Sequence, residues 1–372
     1  MKNVRQSNIN IHKDAWVEIN LEYLAQNIAA IKKCIPPNKK FLGIVKADAY
    51  GHGAQMLAQT MLASGVDMFG VSSVDEGLDL RNVKIKAPIL VVGAIPLWAI
   101  EAATLNDIAF SVFNEEHLTA CKNVYKRTGI KPKVHVKIDT GMNRIGVRAE
   151  EAVEFIEKVQ EADYLCLEGI FTHLAAAENT DITKEQINIW NEILAQIDKT
   201  NLLLHIQNTA ATLSYDIDSN MVRVGISLYG LYPDLPRISN IPPLKQILSL
   251  KGRITNIHTL RAGESVSYGH TYTAYETTKI ATIPIGYADG VSRSLSNKIY
   301  GIVNGQEVRQ VGNITMDQMM FDLGDTEANI GDVVTLLDDK NLPLDNWAKI
   351  LDTINYELTC RLKVRLPRVY VR

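Results

Sequence analysis

The spacing of apolar residues changes at about Leu244, and the change predicts two parts of different structure. Before this point, eight short apolar runs alternate with segments whose apolar residues recur at helical spacing. Eight strands with interleaved helices favour a (β/α)8 TIM barrel, with an open doubly wound sheet as the main alternative. The runs that predict these strands are 41–46, 68–71, 89–92, 108–112, 134–138, 165–171, 203–206 and 221–224.

After Leu244, short runs of alternating apolar and polar residues predict a C-terminal β-rich domain, and Asn304-Gly305 between two runs is typical of a hairpin turn. One further strand-like run, 15–20, precedes the first helix and could pair with this second domain. We expect the barrel to cover 15–240 and the β domain to cover 241–372, joined by residues 1–14. The runs that predict strands here are 251–259, 278–285, 298–303, 307–311, 319–323 and 332–336.

Composition narrows the class of partner. The 372 residues carry 39 basic and 42 acidic side chains, a formal net charge of -3, so no basic surface for nucleic acid or an anionic membrane is expected. The N-terminus has no apolar signal-peptide core, and no apolar run reaches the roughly 20 residues of a membrane-spanning helix. Four scattered cysteines without metal-ligand spacing favour reduced thiols in the cytoplasm and no metal site.

Two lysines end predicted strands, which is where a TIM barrel carries its catalytic groups. Lys46 ends the first of these strands, and Tyr50 follows four residues later. Partial burial would lower the pKa of Lys46 and make its amine a candidate for Schiff-base formation. The alternative is a lysine that only extends from the barrel rim into water. Lys137 ends another strand, and beyond it Arg144 could fold over the barrel mouth to bind a carboxylate or phenolate oxygen, or lie on the surface.

Further polar residues follow or interrupt the later strands. His173 follows one strand, where a hydrogen-bonded structural histidine is equally expected. Asn208 and Thr209 follow the next, and they could cap a helix and present backbone N–H groups to a phosphate. Arg223 lies inside an apolar strand, where a charge is costly without a partner or ligand.

The second domain contains fewer residues whose pattern alone indicates catalysis. Tyr268 and Tyr287 stand beside glycines, and 313–317 is a polar turn, which alone predict turns or sheet edges. The sequence lacks the GxGxxG, P-loop, HExxH and GxSxG motifs, which disfavours a nicotinamide enzyme, a P-loop kinase, a zincin and an α/β-hydrolase.

Taken together, the motifs of both parts resemble those of the alanine racemase family, the fold-type III pyridoxal-phosphate isomerases that interconvert L- and D-alanine. The resemblance covers nearly the whole chain, and the motifs occur in the order expected for the family. They are VKADAYGHG, KIDTGMNRIG, FTHLA, HIQNTA, NMVRVGISLYG, SVSYGHTYTA, TIPIGYADG and NITMDQMM.

The resemblance implies how the barrel holds pyridoxal 5'-phosphate. Lys46 matches the lysine that forms an imine with the cofactor, Arg223 the arginine that faces the pyridine nitrogen, and His173 the histidine beside it. Arg144 matches the group that contacts the phenolic oxygen and the substrate carboxylate. The residues that match phosphate contacts are Tyr50, Asn208, Thr209, Gly225 and Ile226.

The resemblance also implies a homodimer with shared active sites. Tyr268 matches a second catalytic base that comes from the other subunit. Tyr287 and Met316 match residues of the substrate entrance and the carboxylate site, also from the partner. At Lys137 the resemblance suggests a carbamylated lysine, whose negative charge could orient Arg144 instead of repelling it.

The residue types suit racemisation. A proton must leave one face of the α-carbon and return to the other, and one rigid base reaches only one face, so two bases are the simple solution. Lys46 would serve one face and Tyr268 the other. Since a free tyrosine titrates near 10, Tyr268 needs help, which His173 beside Arg223 would supply in part.

Some positions depart from the family pattern, and other functions stay open. Thr315 stands where many members have cysteine, and Val364 where many have a tyrosine that reaches the phosphate, so Tyr50, Arg365 or a water would take over that contact.

The rival functions are a racemase of serine or several amino acids, a fold-type III decarboxylase, and a non-catalytic pyridoxal-phosphate carrier that would not need the β domain. Supply of D-alanine for bacterial peptidoglycan is the implied role, with a catabolic role as the alternative.

Overall fold

The computed structural model describes residues 13–236 and 241–372, which divide into two compact units. One unit is Leu21–Lys245, and the other combines Gln246–Arg372 with the residues up to Asn20. Strand β1 (Ala15–Asn20) belongs to the second unit because it pairs with strands from the end of the chain. The observed division therefore falls after Asn20 and Lys245, not at the expected boundaries of 15 and 240. Most of residues 1–14, which we expected to join the β domain, lie outside the described residues.

Parallel strands form the nearly closed barrel of the first unit, and the prediction of a TIM-type fold is confirmed. The order of the eight barrel strands within the described residues is β10-β2-β3-β4-β5-β6-β8-β9. Between the two ends of this order, the Asn220 N–H donates to the Leu204 carbonyl at 3.1 Å. The strands are β2 (Lys40–Ile44), β3 (Met68–Val71), β4 (Ile89–Ala94), β5 (Ala109–Val112), β6 (Lys133–Asp139), β7 (Val147–Arg148, paired to β6), β8 (Cys166–Phe171), β9 (Leu203–His205) and β10 (Met221–Val224).

Helices follow most of these strands, as expected for a chain of βα units. Amphipathic helices such as α7 and α8 bury one apolar face, which includes Phe155, Ile156 and Trp190. None of the helices in the described ranges reaches the length and hydrophobicity that crossing a membrane requires. The helices of the unit are α1 (Leu21–Lys32), α2 (Lys46–Gly51), α3 (Ala54–Ala63), α4 (Val74–Asn82), α5 (Ile100–Leu105), α6 (Glu115–Thr128), α7 (Ala152–Glu161), α8 (Thr180–Leu194) and α9 (Thr209–Ser214).

The second unit is built on a mostly antiparallel sheet, as the alternating pattern predicts. Its strand order within the described residues is β12-β15-β18-β17-β16-β19-β11-β1-β20, and β13 pairs with β14. In β1, Ala15, Val17 and Ile19 are buried and the residues between them are half-buried, which suits a sheet with one covered face. The strands are β11 (Leu248–Arg253), β12 (Asn256–Leu260), β13 (Ser265–Val266), β14 (Tyr272–Thr273), β15 (Thr278–Ile283), β16 (Tyr300–Val303), β17 (Gln306–Val311), β18 (Met319–Asp322), β19 (Val333–Leu337) and β20 (Arg368–Val371).

Two local features of this unit test the sequence pattern. Asn304 and Gly305 both have positive φ, 49° and 81°, and join β16 to β17, so the predicted hairpin turn is confirmed. The absence of helical periodicity that we expected here is only partly correct. Helices α10 (Leu344–Leu351) and α11 (Asn355–Arg361) follow β19, and they are short enough to give a weak periodic signal.

Candidate active site

A buried arginine organises the polar interior of the barrel. Arg223 lies in β10 with only 4% of its surface exposed, so its charge needs the hydrogen-bond partners that the sequence led us to expect. Its guanidinium donates to three backbone carbonyls, those of His205 (2.8 Å), Thr172 (2.8 Å) and Ile206 (3.2 Å). Burial lowers the pKa of Arg223 to about 9, which still leaves it charged at pH 7. Oriented carbonyl dipoles thus replace the water that this cation loses.

The rings of His205 and His173 lie next to the same guanidinium, and a third ring, that of His135, lies beyond His205. Arg223 Nη1 lies 3.0 Å from His205 Nδ1, and Nη2 lies 3.1 Å from His173 Nδ1. Because a guanidinium only donates, both Nδ1 atoms must accept, and each ring carries its proton on Nε2. His205 Nε2 then donates to His135 Nδ1 at 2.9 Å. Arg223 therefore sets the tautomers of both neighbours and, through His205, that of His135.

These imidazoles are held neutral. Burial, and then the charge of Arg223, lower the pKa of His135 to about 3. The pKa values of His173 and His205 are also well below the usual range, again because of burial first and Arg223 second. A neutral ring beside the guanidinium avoids placing two cations together in a region of low dielectric.

Lys137 lies in β6 with 4% of its surface exposed, two residues before the strand ends and not at the predicted strand end. Burial, Arg223 and Arg144 lower the pKa of Lys137 to about 7. Its Nζ lies 4.5 Å from the centroid of the Phe171 ring, and that ring stacks on His205 with centroids 4.7 Å apart. Near neutrality, much of this lysine is an uncharged amine.

Four of the predicted barrel residues carry charges that act on the same histidine. The charges of Arg223, Lys137, Arg144 and Lys46 all depress the pKa of His173. Arg144 is exposed, in the loop that follows β6. The Asp139 carboxylate shapes that loop by accepting from the Gly141 and Asn143 N–H groups, both at 3.0 Å.

Lys46 does not end a strand as predicted, because β2 ends at Ile44. It is half-buried and begins α2, in which the residues from Ala47 to Tyr50 have φ of 51–54° and ψ of 38–51°. This is a left-handed turn built without glycine, and such a conformation costs roughly 1–2 kcal/mol per residue. The backbone at Lys46 is therefore held in place by contacts from elsewhere in the fold.

Several predicted phosphate contacts converge at Gly225. A Cβ built on Gly225 would lie 2.6 Å from Tyr50 Oη, so only glycine admits that hydroxyl here. The Gly225 N–H donates to Thr209 Oγ1 at 2.8 Å. Asn208 caps α9 by accepting from the Ala211 N–H at 2.9 Å, and Ile226 directly follows Gly225. Hydroxyl groups and a backbone without a side chain form the kind of cradle that a phosphate needs.

The β unit presents its predicted residues differently. Tyr268 is 75% exposed and lies in a turn between β13 and β14. Ser267, with φ of 68°, donates from its Oγ to the Asn313 carbonyl at 2.6 Å. The Asn313 amide in turn donates to the Tyr268 carbonyl at 2.6 Å. The backbone under Tyr268 is thus fixed while its phenol points outward.

Tyr287 and Met316 share one backbone arrangement and are 42% and 54% exposed. The Tyr287 N–H donates to the Thr315 carbonyl and the Ala288 N–H to the Met316 carbonyl, both at 3.0 Å. A Cβ on Gly286 would lie 2.3 Å from the Thr315 carbonyl oxygen, so the two segments touch directly. The structure thus brings the backbones of Tyr287 and Met316 together, and their shared role stays a prediction.

The position expected to lack the phosphate-binding tyrosine is a surface residue. Val364 is 92% exposed. Its neighbour Arg365 donates to Asp317 Oδ1 at 2.6 Å, and its Nε lies 3.5 Å from Asp289 Oδ1. Arg365 is thus engaged by carboxylates of the β unit, and Tyr50 remains as the phenol beside Gly225.

Sequence reasoning missed two contributors to the cluster. His135 lies two residues before Lys137, so both point to the same face of β6, and this period-two spacing was an available signal. Glu76, at the third position of α4, follows Ser73 at capping-box spacing, a pattern that by itself is typical of a helix start and does not indicate a contact with another loop. Its further contacts cross to the loop of Lys46.

Comparison with known proteins gives matches over both units. The family profile described as alanine racemase, N-terminal domain, matches residues 19–233, and the profile of the C-terminal domain matches 247–370. An alanine racemase of Nostoc sp. is 40% identical, with 96% of each chain covered. Alanine racemase 2 of Bacillus subtilis is 37% identical, over 98% of this chain and 96% of that protein.

Solved structures agree with these relatives. An alanine racemase of Clostridium difficile 630 superposes with a TM-score of 0.92 at 37% identity, covering 97% of this chain and 96% of that one. An alanine racemase from E. faecalis gives a TM-score of 0.92 at 32% identity, covering 97% and 99%. The similarity therefore extends over the barrel and the β unit alike.

Proposed function

This chain belongs to the alanine racemase family, and we propose that its Lys46 amine and its Tyr268 phenol move the α-proton of alanine between the two faces of the substrate. Members of this family are isomerases that interconvert L- and D-alanine and supply D-alanine. The observation that carries the proposal is the cluster in which Lys46, Lys137, Arg144 and Arg223 all act on His173. Basic groups gathered around neutral imidazoles suit an anionic cofactor and a substrate carboxylate.

The family depends on pyridoxal 5'-phosphate, and the residues present fit that group. When bound, the cofactor supplies an aldehyde that captures an amino group and a ring that withdraws electrons from the α-carbon. Lys46 would hold its aldehyde, and the cradle at Gly225 would hold its phosphate. The residues of that cradle are Tyr50, Asn208, Thr209, Gly225 and Ile226. The close approach of Tyr50 Oη to Gly225 supports this assignment, because a larger residue would fill the space.

Arg223 would face the pyridine nitrogen. A guanidinium donates a hydrogen bond but keeps its own proton, so Arg223 would leave that nitrogen unprotonated. Arg223 would thus make the bound ring a weaker electron acceptor than a carboxylate at this position would, which would leave less time for transamination. The three carbonyls that hold Arg223 in place support this role.

The two proton-transfer groups would come from different copies of the chain. Lys46 serves one face, and Tyr268 from a second copy serves the other, with His173 hydrogen-bonded to its phenol. The Nε2–H of His173, which follows from the tautomer that Arg223 sets, is a suitable donor to a phenolate. An isologous dimer then completes two active sites.

Residues that meet the substrate would complete each site. Arg144 would bind the substrate carboxylate and the phenolic oxygen of the cofactor. Tyr287 and Met316 would form the substrate entrance and carboxylate site of the neighbouring copy. Their exposure in a single chain supports a role in an assembly, since exposed large apolar groups mark contact surfaces.

Lys137 would be carbamylated. Its pKa of about 7 leaves much of the amine neutral at physiological pH, and a neutral amine attacks carbon dioxide. A nitrogen–carbon bond forms, the nitrogen releases a proton to water, and the product is a carbamate anion. That anion replaces a cation beside Arg144 and Arg223, so it removes the repulsion that lowers the pKa.

The cellular setting follows from the family role. The chain would act in the cytoplasm of a bacterium, where D-alanine is made for peptidoglycan. The C-terminal match over 247–370 argues against a non-catalytic carrier, which would not need the unit that bears Tyr268.

One set of measurements tests the proposal. Purified protein should show pyridoxal-phosphate absorbance, and borohydride reduction followed by peptide mass spectrometry should locate the cofactor on Lys46. Circular dichroism should then follow racemisation of L-alanine, with L-serine as the comparison substrate. A cofactor bound to another lysine, or faster turnover of L-serine, would contradict the assignment.

A further inference from the structure

The loop that carries Lys46 is anchored by a carboxylate from the next βα unit. Backbone pairing between neighbouring loops extends as far as Val45, whose N–H donates to the Gly70 carbonyl at 2.9 Å. Two peptides further on, the Ala47 N–H donates to Glu76 Oε1 at 2.7 Å. The left-handed turn begins at this peptide, so Glu76 binds the backbone where its direction changes.

Glu76 departs from the usual behaviour of a capping-box residue. Ser73 caps α4 and accepts from the Glu76 N–H at 3.4 Å, which is half of the expected reciprocal pair. The Glu76 carboxylate, however, reaches past the cap. Its Oε2 accepts from the Ser72 N–H at 2.7 Å and from Ser72 Oγ at 2.9 Å, which leaves Oε1 for Ala47.

We propose that Glu76 is a positioning residue for Lys46, which holds the peptide between Lys46 and Ala47 in the orientation that starts the left-handed turn. This inference rests on the proposed function, because it assigns Glu76 to the presentation of the Lys46 amine. A peptide unit is planar, so fixing the Ala47 N–H also fixes the Lys46 carbonyl and the direction of its Cα. Without that bond the turn loses its contact at the entrance, and Ala47, for which a positive φ is unfavourable, depends on the Ala49 N–H, which donates to the Val45 carbonyl at 2.8 Å across the turn.

The second half of the turn has its own support, which isolates the contribution of Glu76. Asp48 Oδ1 accepts from the Ala54 N–H at 2.8 Å, and the Gly53 N–H donates to the Asp48 carbonyl at 2.9 Å. These contacts stabilise the exit of the turn into α3. Glu76 stabilises its entrance, which is the side next to Lys46.

The test compares Glu76→Ala with Ser73→Ala in the full-length protein. Both changes weaken the start of α4, but only Glu76→Ala frees the Ala47 N–H. Asp75→Asn controls for loss of an acidic charge on the same helix, since Asp75 is exposed. In Glu76→Ala, we expect the dissociation constant of pyridoxal phosphate, measured by fluorescence titration of apoprotein, to rise about 10- to 100-fold. The two control variants should bind it as the wild type does.

Two further measurements separate positioning from a general loss of stability. Hydrogen exchange of the Ala47 amide in apoprotein should accelerate in Glu76→Ala and stay slow in Ser73→Ala. In the Glu76→Ala background, Ala47→Gly should recover about fivefold of the lost affinity, because glycine adopts positive φ without penalty. The same replacement at Ala29, an exposed position in right-handed α1, should recover nothing.

Equal weakening by Glu76→Ala and Ser73→Ala, or no recovery with Ala47→Gly, would overturn the inference. If Glu76→Ala does not fold, Glu76→Gln decides, since its amide keeps one acceptor and should give a smaller change in the same direction. A wild-type protein that binds no pyridoxal phosphate would contradict the proposed function instead. Exchange at Ala47 would then still decide whether Glu76 anchors the turn.

Discussion

The barrel unit and the β unit carry their candidate functional residues in opposite ways. Arg223 and Lys137 are each only 4% exposed, and their surroundings lower the pKa of each. Tyr268 and Met316 are 75% and 54% exposed, on backbone turns fixed from below. The barrel unit therefore holds these two cations in its interior, whereas the β unit leaves its candidate residues exposed on the surface of a single chain.

The difference shows how each unit controls chemistry. In the barrel, burial adjusts protonation, and it lowers the pKa of Arg223, which has exchanged water for carbonyls and imidazoles, and that of Lys137. In the β unit, backbone geometry controls position. Ser267 has φ of 68°, and a Cβ on Gly286 would fall 2.3 Å from a carbonyl oxygen. Substitutions in the barrel should thus change pKa values and electron demand, and those in the β unit should change assembly and geometry.

The largest effect should follow from removing the barrel amine. Lys46→Ala should reduce racemisation in both directions by at least about 10⁴-fold, because both the cofactor attachment and one base are lost. Circular dichroism measures the rates from each enantiomer. Lys40→Ala, at the exposed start of β2, the strand that precedes Lys46, should keep wild-type activity. Substantial activity in Lys46→Ala would contradict the proposal that the barrel unit supplies a catalytic amine at Lys46.

Removing the exposed phenol tests the β half. Tyr268→Phe should cost about 10²- to 10⁴-fold, with unequal effects on the two enantiomers in single-turnover work. Tyr275→Phe, at a residue that is 98% exposed, serves as the control.

Mixing chains sharpens this test. In equal mixtures of Lys46→Ala and Tyr268→Phe chains, half of the dimers are mixed and each has one intact site of two, so about a quarter of wild-type activity should return. No recovery after verified exchange of subunits would mean that each chain completes its own site.

Variants of Lys137 test whether the charge at this buried position is set by a covalent modification. Lys137→Met keeps bulk and removes the amine, and activity should fall about 10- to 100-fold because Arg144 loses a charged partner. In wild-type protein supplied with ¹³C-bicarbonate, NMR should detect a carbamate. Its formation needs the neutral amine, so it should increase as pH rises through the Lys137 pKa of about 7. Absence of a carbamate signal at pH 8 would contradict the modification.

Arg223 tests electron demand in the barrel. Arg223→Glu would protonate the pyridine nitrogen, and pyruvate formed by transamination should rise about tenfold or more relative to racemised alanine. Arg223→Lys, which keeps a positive donor, should stay near the wild-type ratio. Thermal unfolding of both variants separates this partition from lost stability. An unchanged ratio in folded Arg223→Glu would argue against the electronic role.

The smallest effect concerns stability in acid. His135 is buried neutral with a pKa of about 3, while an unfolded histidine titrates near 6.5, so the unfolded state binds more protons between these values. Stability should therefore fall as pH drops from 6.5 towards 3, by about 2 kcal/mol for this residue at pH 5. Urea unfolding at pH 7 and pH 5 should show a smaller loss in His135→Asn. An equal loss would mean that other groups dominate.

Much of the architecture could be predicted because its signals are local. The barrel strands are continuous apolar runs, as parallel strands covered on both faces require, and Asn304-Gly305 specified its own turn. The left-handed turn after Lys46 could not be predicted, since Ala-Asp-Ala-Tyr contains no glycine and only its aspartate is of a type that is enriched at positive φ. Its conformation depends on Glu76, which lies 29 residues further along the chain.

The candidate site, like the fold, could be predicted from the sequence only in part. Arg223 could be identified because it is a charged residue in an apolar strand. Its partners could not be predicted, because they are backbone carbonyls, which every residue has. His135 shares a face with Lys137, yet its role depends on a ring from β9. The roles implied by family resemblance, including that of Tyr268, stay predictions until the variants above are measured.

The pairing of β1 with β11 and β20 has a consequence for synthesis. Strand β1 is synthesised before the barrel, but its parallel partner Arg368–Val371 follows the barrel in the chain. At typical rates of about 5–20 residues per second, β1 waits on the order of tens of seconds for that neighbour. The whole barrel can mature during this delay, so this pairing forms after the barrel has been synthesised.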